Sequence, residues 1–212
     1  MSGAPLPAQL SNPGSLPARL RQMLLGWGCV GLIYFPTGLQ QGPAFTLSES
    51  ALDRLIAYNP GAVWPYLSFF VLIPYAYLAA PPGRVRQLAR AMQLCALTAG
   101  IVFVLFPTTL VYPPVAAGEG AGAWLLARLL VSDSTRNCLP SLHAALTALC
   151  VWALCARARP LRSAAVLVLG VAICYSVIAL RRHLAIDLAA GLLCALAGAM
   201  LATKFTRPNG PP

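Results

Sequence analysis

Two histidines occur in 212 residues, and each stands at the head of an apolar stretch. His143 closes the run Asn137-Cys138-Leu139-Pro140-Ser141-Leu142-His143, and His183 lies in Arg181-Arg182-His183-Leu184-Ala185-Ile186-Asp187. Histidine, aspartate and arginine are costly beside hydrocarbon, and such groups mark a site more often than a scaffold. His183 and Asp187 are four residues apart, so a helix starting at His183 puts both on one face. The carboxylate then accepts from one ring nitrogen, fixes the tautomer and leaves the other nitrogen with a lone pair. That is the arrangement of a nucleophile or base with its orienting group.

The neighbours complete an inventory for phosphoryl transfer. Arg181 and Arg182 offer planar donors that match phosphate oxygens. Pro140 suits the first turn of a helix, where its missing amide would be unpaired anyway, and Asn137 or Ser141 can cap that helix. Free amides of such a first turn bind anions, with Ser141 as a hydrogen-bond donor and His143 as an acid. Two histidines and a carboxylate can also ligate a metal ion. The flanking arginines would repel it, and neither a metal nor another cofactor is expected. A membrane histidine taken alone is often a helix-packing hydrogen bonder, and His-x-x-x-Asp by itself is a weak pattern. The two motifs occurring together, each at a helix start and beside arginines, favour chemistry.

The elements that must position these groups follow from composition. Apolar residues make up 58% of the chain and charged ones 9%, too little polar surface for a soluble domain. The chain reads as all-α, a polytopic membrane protein built as one bundle of six transmembrane helices. The spans cover roughly 20–36, 61–81, 88–106, 141–157, 162–180 and 183–203. Residues 1–18 read as a flexible cytoplasmic tail, 19–205 as the membrane catalytic domain and 206–212 as a short second tail.

The net charge of +10 invites a nucleic-acid reading, which its placement argues against. With six spans, Arg19, Arg21, Arg84, Arg86, Arg90, Arg157, Arg159, Arg162, Lys204 and Arg207 all fall on one side. The positive-inside rule makes that side cytoplasmic. Glu49, Asp53, Glu119, Asp133 and Asp187 fall on the other, with both histidines. The spans after His143 run down and back, so the two motifs begin parallel helices on the extracytoplasmic face. The seven scattered cysteines form no CxxC pair and read as small apolar residues, Cys138 alone sharing a motif. Residues 48–55 carry the Ser and acidic content of a short capped helix at the outer interface. Pro113, Pro114 and the Gly-rich run 118–122 predict a break, after which Trp124 to Val131 forms an interfacial helix leading to the histidine motif.

Pro140-Ser141-Leu142-His143 and His183-xxx-Asp187, with six spans and outward-facing motifs, resemble the type-2 phosphatidic acid phosphatase superfamily. The leucine before His143, where many members have glycine, is similar to the inositol phosphorylceramide synthase (aureobasidin-resistance) subgroup. The likeness is specific over roughly 137–191. It implies that His183 attacks phosphorus to give a phosphohistidine, that Asp187 orients it, that His143 protonates the leaving oxygen, and that Ser141 touches the phosphate. The family's arginine six residues before the last histidine is Val177 here, although Ser176 remains. Leu105 and Tyr112 replace the two cations of the upstream Lys-x6-Arg-Pro motif. Arg136, Arg181 and Arg182 are the expected substitutes.

The sequence therefore predicts a multi-pass enzyme that cleaves a lipid phosphate ester at the outer face, with the lipid phosphate or phospholipid and the membrane as its partners. Head-group transfer to a phosphosphingolipid-like product is the first alternative, and a proton-coupled lipid or solute carrier the second. Lipid identity, acceptor and oligomeric state are not encoded in these patterns. A reaction run by these side chains alone predicts that activity survives prolonged chelation. Loss of phosphate release under chelator, restored by a divalent ion, would instead assign a metal site.

Overall fold

The computed structural model describes residues 13–113 and 120–205. Residues 1–12 and 206–212, which hold most of the expected tails, and the Pro114 to Glu119 part of the expected break lie outside them. Helix α1 (Leu16–Met23) is capped by Ser15, whose side chain accepts from the Ala18 amide. It passes without interruption into a π-helical segment (Leu24–Gly28) and then α2 (Cys29–Gly38). The π turn lies where Gly26 packs on its neighbours: a Cβ there would fall 2.8 Å from the Ala89 Cα. A short strand β1 (Phe45–Thr46), the small helix α3 (Ala51–Leu55) and α4 (Val63–Ala79) follow, then α5 (Pro82–Leu105) and β2 (Thr108–Thr109). The chain closes with α6 (Ala121–Ser132), α7 (Leu142–Leu154), α8 (Pro160–Ala179) and α9 (Ala185–Phe205).

Among the described residues, four helices are long and apolar enough to cross a membrane: Pro60–Ala79, Pro82–Leu105, Pro160–Ala179 and Ala185–Lys204. The other two expected spans differ from that description. The first is divided among α1, the π segment and α2, and α7, with 13 residues, is only about 20 Å long against a hydrocarbon core of about 30 Å. Leu32, Val71, Val168 and Leu193 stand exposed on the outside of the bundle, the pattern expected of surfaces that face lipid.

α5 is the central post. Leu88, Ala91, Met92, Cys95, Ala96, Ala99 and Phe103 are fully buried along it, against α2, α7 and α9. Lipid is as apolar as leucine, so helices in a membrane gain little from hiding hydrophobic surface and depend on close packing instead. Small residues provide it here. A Cβ at Gly198 would approach the Ala91 carbonyl to 3.1 Å, and one at Gly191 would reach the Ser141 carbonyl oxygen at 2.3 Å. The second contact brings α9 against Ser141, the residue that precedes α7.

The two ends of the bundle differ in chemistry. At one end Arg19 donates to the Tyr77 and Ala80 carbonyls, both at 2.8 Å, and Arg84 to Trp152 at 2.9 Å while stacking on its ring. Arg162 donates to Leu154 at 2.6 Å. Three cations expected from the sequence to share a side thus cap the C-terminal carbonyls of α4 and α7, where the helix dipole favours positive charge. At the opposite end of α7 lie Ser141 and His143. There β1 pairs in parallel with β2, Phe45 opposite Thr108, and Thr108 bridges to Asn137. This small sheet, invisible to a hydropathy reading, ties the two loops that carry its strands to the motif.

Sidedness is tested at exposed positions, because Cys138 and Arg182 are buried. Gln41 and Arg159 are exposed at the two ends. With the basic end cytoplasmic, a cysteine replacing Gln41 in a cysteine-free background labels with an impermeant maleimide from outside intact cells. One replacing Arg159 labels only after lysis. The reverse pattern would overturn the expected orientation.

Candidate active site

The α7 motif begins at its cap. Ser141 is the N-cap, its hydroxyl accepting from the Ala144 amide at 3.3 Å. Pro140 therefore precedes the helix rather than opening it, and His143 occupies the second helical position. Asn137 is committed elsewhere, donating to the Tyr34 carbonyl at 2.8 Å and the Thr37 hydroxyl at 3.0 Å. The His143 ring lies between Tyr66 and Phe69, with centroids at 4.7 and 4.6 Å. Its buried Nε2 has no hydrogen-bond partner among the described residues.

The second motif forms differently from the expected helical pair. α9 starts at Ala185, so His183 sits in the preceding turn and Asp187 at the third helical position. Asp187 Oδ2 accepts from the Leu184 amide at 2.9 Å, the reach-back of an N-terminal capping acid. The same oxygen lies 3.4 Å from His183 Nδ1. The four-residue spacing thus brings the two groups together through a helix cap and not along a helix face. Asp53, from α3, caps the next amide: its Oδ1 accepts from Ala185 at 2.6 Å. The backbone then joins the motifs, the Ser141 amide donating to the Asp187 carbonyl at 3.0 Å. His143 and His183 end with ring centroids 5.7 Å apart.

The three arginines part company. Arg181 has a φ of 54°, the left-handed region that a β-carbon disfavours. This twist turns consecutive side chains to different surroundings. Arg181 points to the α3 loop, donating to the Asp53 and Ile56 carbonyls at 3.2 and 2.8 Å and pairing with Glu49 at 3.2 Å. Arg136 donates to the Gly42 carbonyl. Arg182 alone turns to the histidines. It is buried, its guanidinium lies 4.6 Å above the Tyr112 ring, and its Nε donates to Asp133 Oδ2 at 2.9 Å.

Asp133 escaped the sequence reading, which counted it only as an outer acid. It also accepts from the Tyr34 hydroxyl at 2.6 Å and the Tyr66 hydroxyl at 3.2 Å. Burial acts to raise its pKa, but the Arg182 guanidinium first, then the two histidines and the Tyr34 hydroxyl, outweigh this and hold the carboxyl below its ordinary range. The available signal was a lone acid between an apolar helix and the His143 motif; nothing local names its partners. Tyr112 also meets the Cys138 sulfur at 3.2 Å. Burial pushes that thiol up to about 12, the behaviour of a packed thiol rather than a reactive one.

Two imidazoles, a carboxylate and a guanidinium thus gather at one end of the bundle, an inventory of groups suited to phosphate chemistry. A family model described as the PAP2 superfamily matches residues 33–201. The chain belongs to that superfamily of phosphatases and phosphotransferases. No curated protein and no solved structure matches it.

Removing Asp133 strands a buried cation. Asp133→Ala is expected to destabilise the protein by about 3 kcal/mol or more, read by unfolding in detergent, with much of the loss recovered by adding Arg182→Met. Since folding lowers the carboxyl's pKa, its contribution is complete above about pH 4 and fades as pH falls through the lowered value. Equal stability of wild type and Asp133→Ala at pH 7 would refute the pair's role.

Proposed function

We propose that the chain is a membrane-embedded phosphoesterase or phosphotransferase that cleaves a lipid phosphate ester through a phosphohistidine on His183, at the extracytoplasmic face. The observation that carries this reading is the approach of the two imidazole rings to 5.7 Å with Asp187 against Nδ1 of His183. With Nδ1 turned to the carboxylate, Nε2 is the nitrogen left to attack phosphorus. The new N–P bond forms as the P–O bond to the lipid breaks, and the departing oxygen takes a proton from His143. Water or an alcohol, deprotonated by His143, then attacks the phosphohistidine and restores His183.

In this reading Arg182 meets the phosphate oxygens, and its hydrogen bond to Asp133 supports that role by holding its orientation. Arg136 and Arg181, proposed from sequence for the same task, act instead in this reading by fixing the loops around the site. Ser141 contributes by setting the first turn of α7, whose amides favour an anion. The superfamily match supports the reaction class, and the basic end of the bundle supports the orientation. The small outer loops favour water as acceptor. Head-group transfer of the inositol phosphorylceramide synthase kind draws its support from Leu142 and from Leu105 and Tyr112 at the cation positions.

Purified protein is assayed on lipid phosphates and phosphodiesters. His183→Ala is expected to abolish turnover and phosphoryl labelling, leaving thermal unfolding near that of wild type. His143→Ala should cost orders of magnitude with an alkyl leaving group and far less with a nitrophenyl one, which departs without acid help. Equal losses with both leaving groups would reject His143 as the acid, and undiminished labelling in His183→Ala would reject the nucleophile.

A further inference from the structure

A cavity of about 460 Å³ extends from His143 along the first helical run, within the size range of small-molecule sites. Its polar groups all lie at one end, where His143, Asp133 and the two tyrosines bonded to Asp133 contribute to the wall. Away from them the lining is apolar, and it includes Met23, Leu24 and Trp27. Met23 to Phe35 line it along the first helical run, which corresponds to about 18 Å of helix. The π segment forms part of this wall, and π turns interrupt helices most often where function requires a shape that a regular helix denies.

Gly28 and Gly31 also line the cavity, and they sit three residues apart on one face. Gly31 has no packing reason to be glycine. A Cβ there would meet only Phe35 ring atoms, at 3.7 and 3.9 Å, which is ordinary contact. Glycine inside a helix costs about 1 kcal/mol relative to alanine. What its missing side chain provides is width in the cavity. Gly26, whose Cβ would strike the Ala89 backbone, is the contrasting case within the same run.

His143 and Asp133 line this space, whereas His183, Asp187 and Arg182 do not. The cavity therefore meets the site on one side only, that of the proposed acid. We propose that it holds a hydrocarbon chain of the leaving alcohol, with Gly31 setting its width and Met23, Leu24 and Trp27 receiving the chain. This rests on the phosphoester reading above and adds a direction to it. As the His183 N–P bond forms and the P–O bond breaks, the electron pair goes to the lipid oxygen. That oxygen takes the His143 proton, and the lipid alcohol remains in the groove while the phosphoryl group stays on His183. The occupant is an amphiphile, its anion beside Arg182 and its chain against apolar wall.

The full chain is tested in lipid nanodiscs with hexadecyl phosphate and phenyl phosphate, comparing wild type with Gly31→Leu. The ratio of kcat/KM for hexadecyl over phenyl phosphate is expected to fall about tenfold, which is what two displaced buried methylenes are worth. An unchanged ratio overturns the proposal. A second measurement uses wild type alone: a hexadecyl phosphonate with a diazirine at the chain end should cross-link within residues 23–31. Labelling spread over the outward residues Leu193 and Leu196, as from bulk lipid, overturns it equally. Should wild type release phosphate from neither ester, the phosphoester reading falls, and the cross-link still decides whether the groove takes the chain.

Discussion

A guanidinium buried in an apolar bundle sets the terms for everything around it. The Arg182 side chain is only 4% exposed, and Asp133, at 10%, is its counter-charge. A lone charge at such depth costs several kcal/mol, and a pair breaks even only with good geometry and every remaining lone pair satisfied. Asp133 meets that condition with two tyrosine hydroxyls, one from α2 and one from α4. Arg182 follows α8, and Asp133 follows α6. One electrostatic requirement thus holds four parts of the chain in register around His143 and His183.

The same frugality governs the backbone. A helix that starts at membrane depth leaves amides without partners. At α9 they are met by Asp187 and Asp53, and at α7 by Ser141. Asp187 consequently has two tasks. It caps its own helix, and by capping it stands against Nδ1 of His183. The orienting carboxylate of the proposed nucleophile is held by the requirement that a helix terminus be satisfied, so its position does not depend on a flexible side chain finding a partner. Gly191 completes the arrangement, allowing α9 near enough for the Ser141 amide to reach the Asp187 carbonyl.

Function in this reading is a matter of polarity along the bundle. Arginines close the helix C-termini at one end, and histidines, acids and short strands gather at the other. Between them the first helical run passes through a π turn, and an apolar cavity lies open along it beside His143. In the proposed reading, an anionic amphiphile meets hydrocarbon with its chain and a guanidinium with its head. Neither half of that recognition requires the substrate to leave the membrane.

The groups of the candidate site were legible in the sequence because they depend on residue type and short spacing: two histidines, a four-residue step to Asp187, and a serine positioned to cap. Helical class and membrane habit were legible from composition, and the short helices α3 and α6 from Ser50, Asp53 and the apolar run after Trp124. Other features depended on contacts that no local pattern encodes. Whether Arg181 or Arg182 faces the site turns on one left-handed residue, and a dihedral leaves no mark in composition. Asp133 acquires its role from partners 99, 67 and 49 residues away. The cap that seats Asp187 shifts the start of α9 past His183, because satisfied amides, not hydropathy, decide where a helix begins. Sequence determined which groups are present and in what order; packing determined which of them meet, since burial of a charge is resolved only when the whole bundle closes around it.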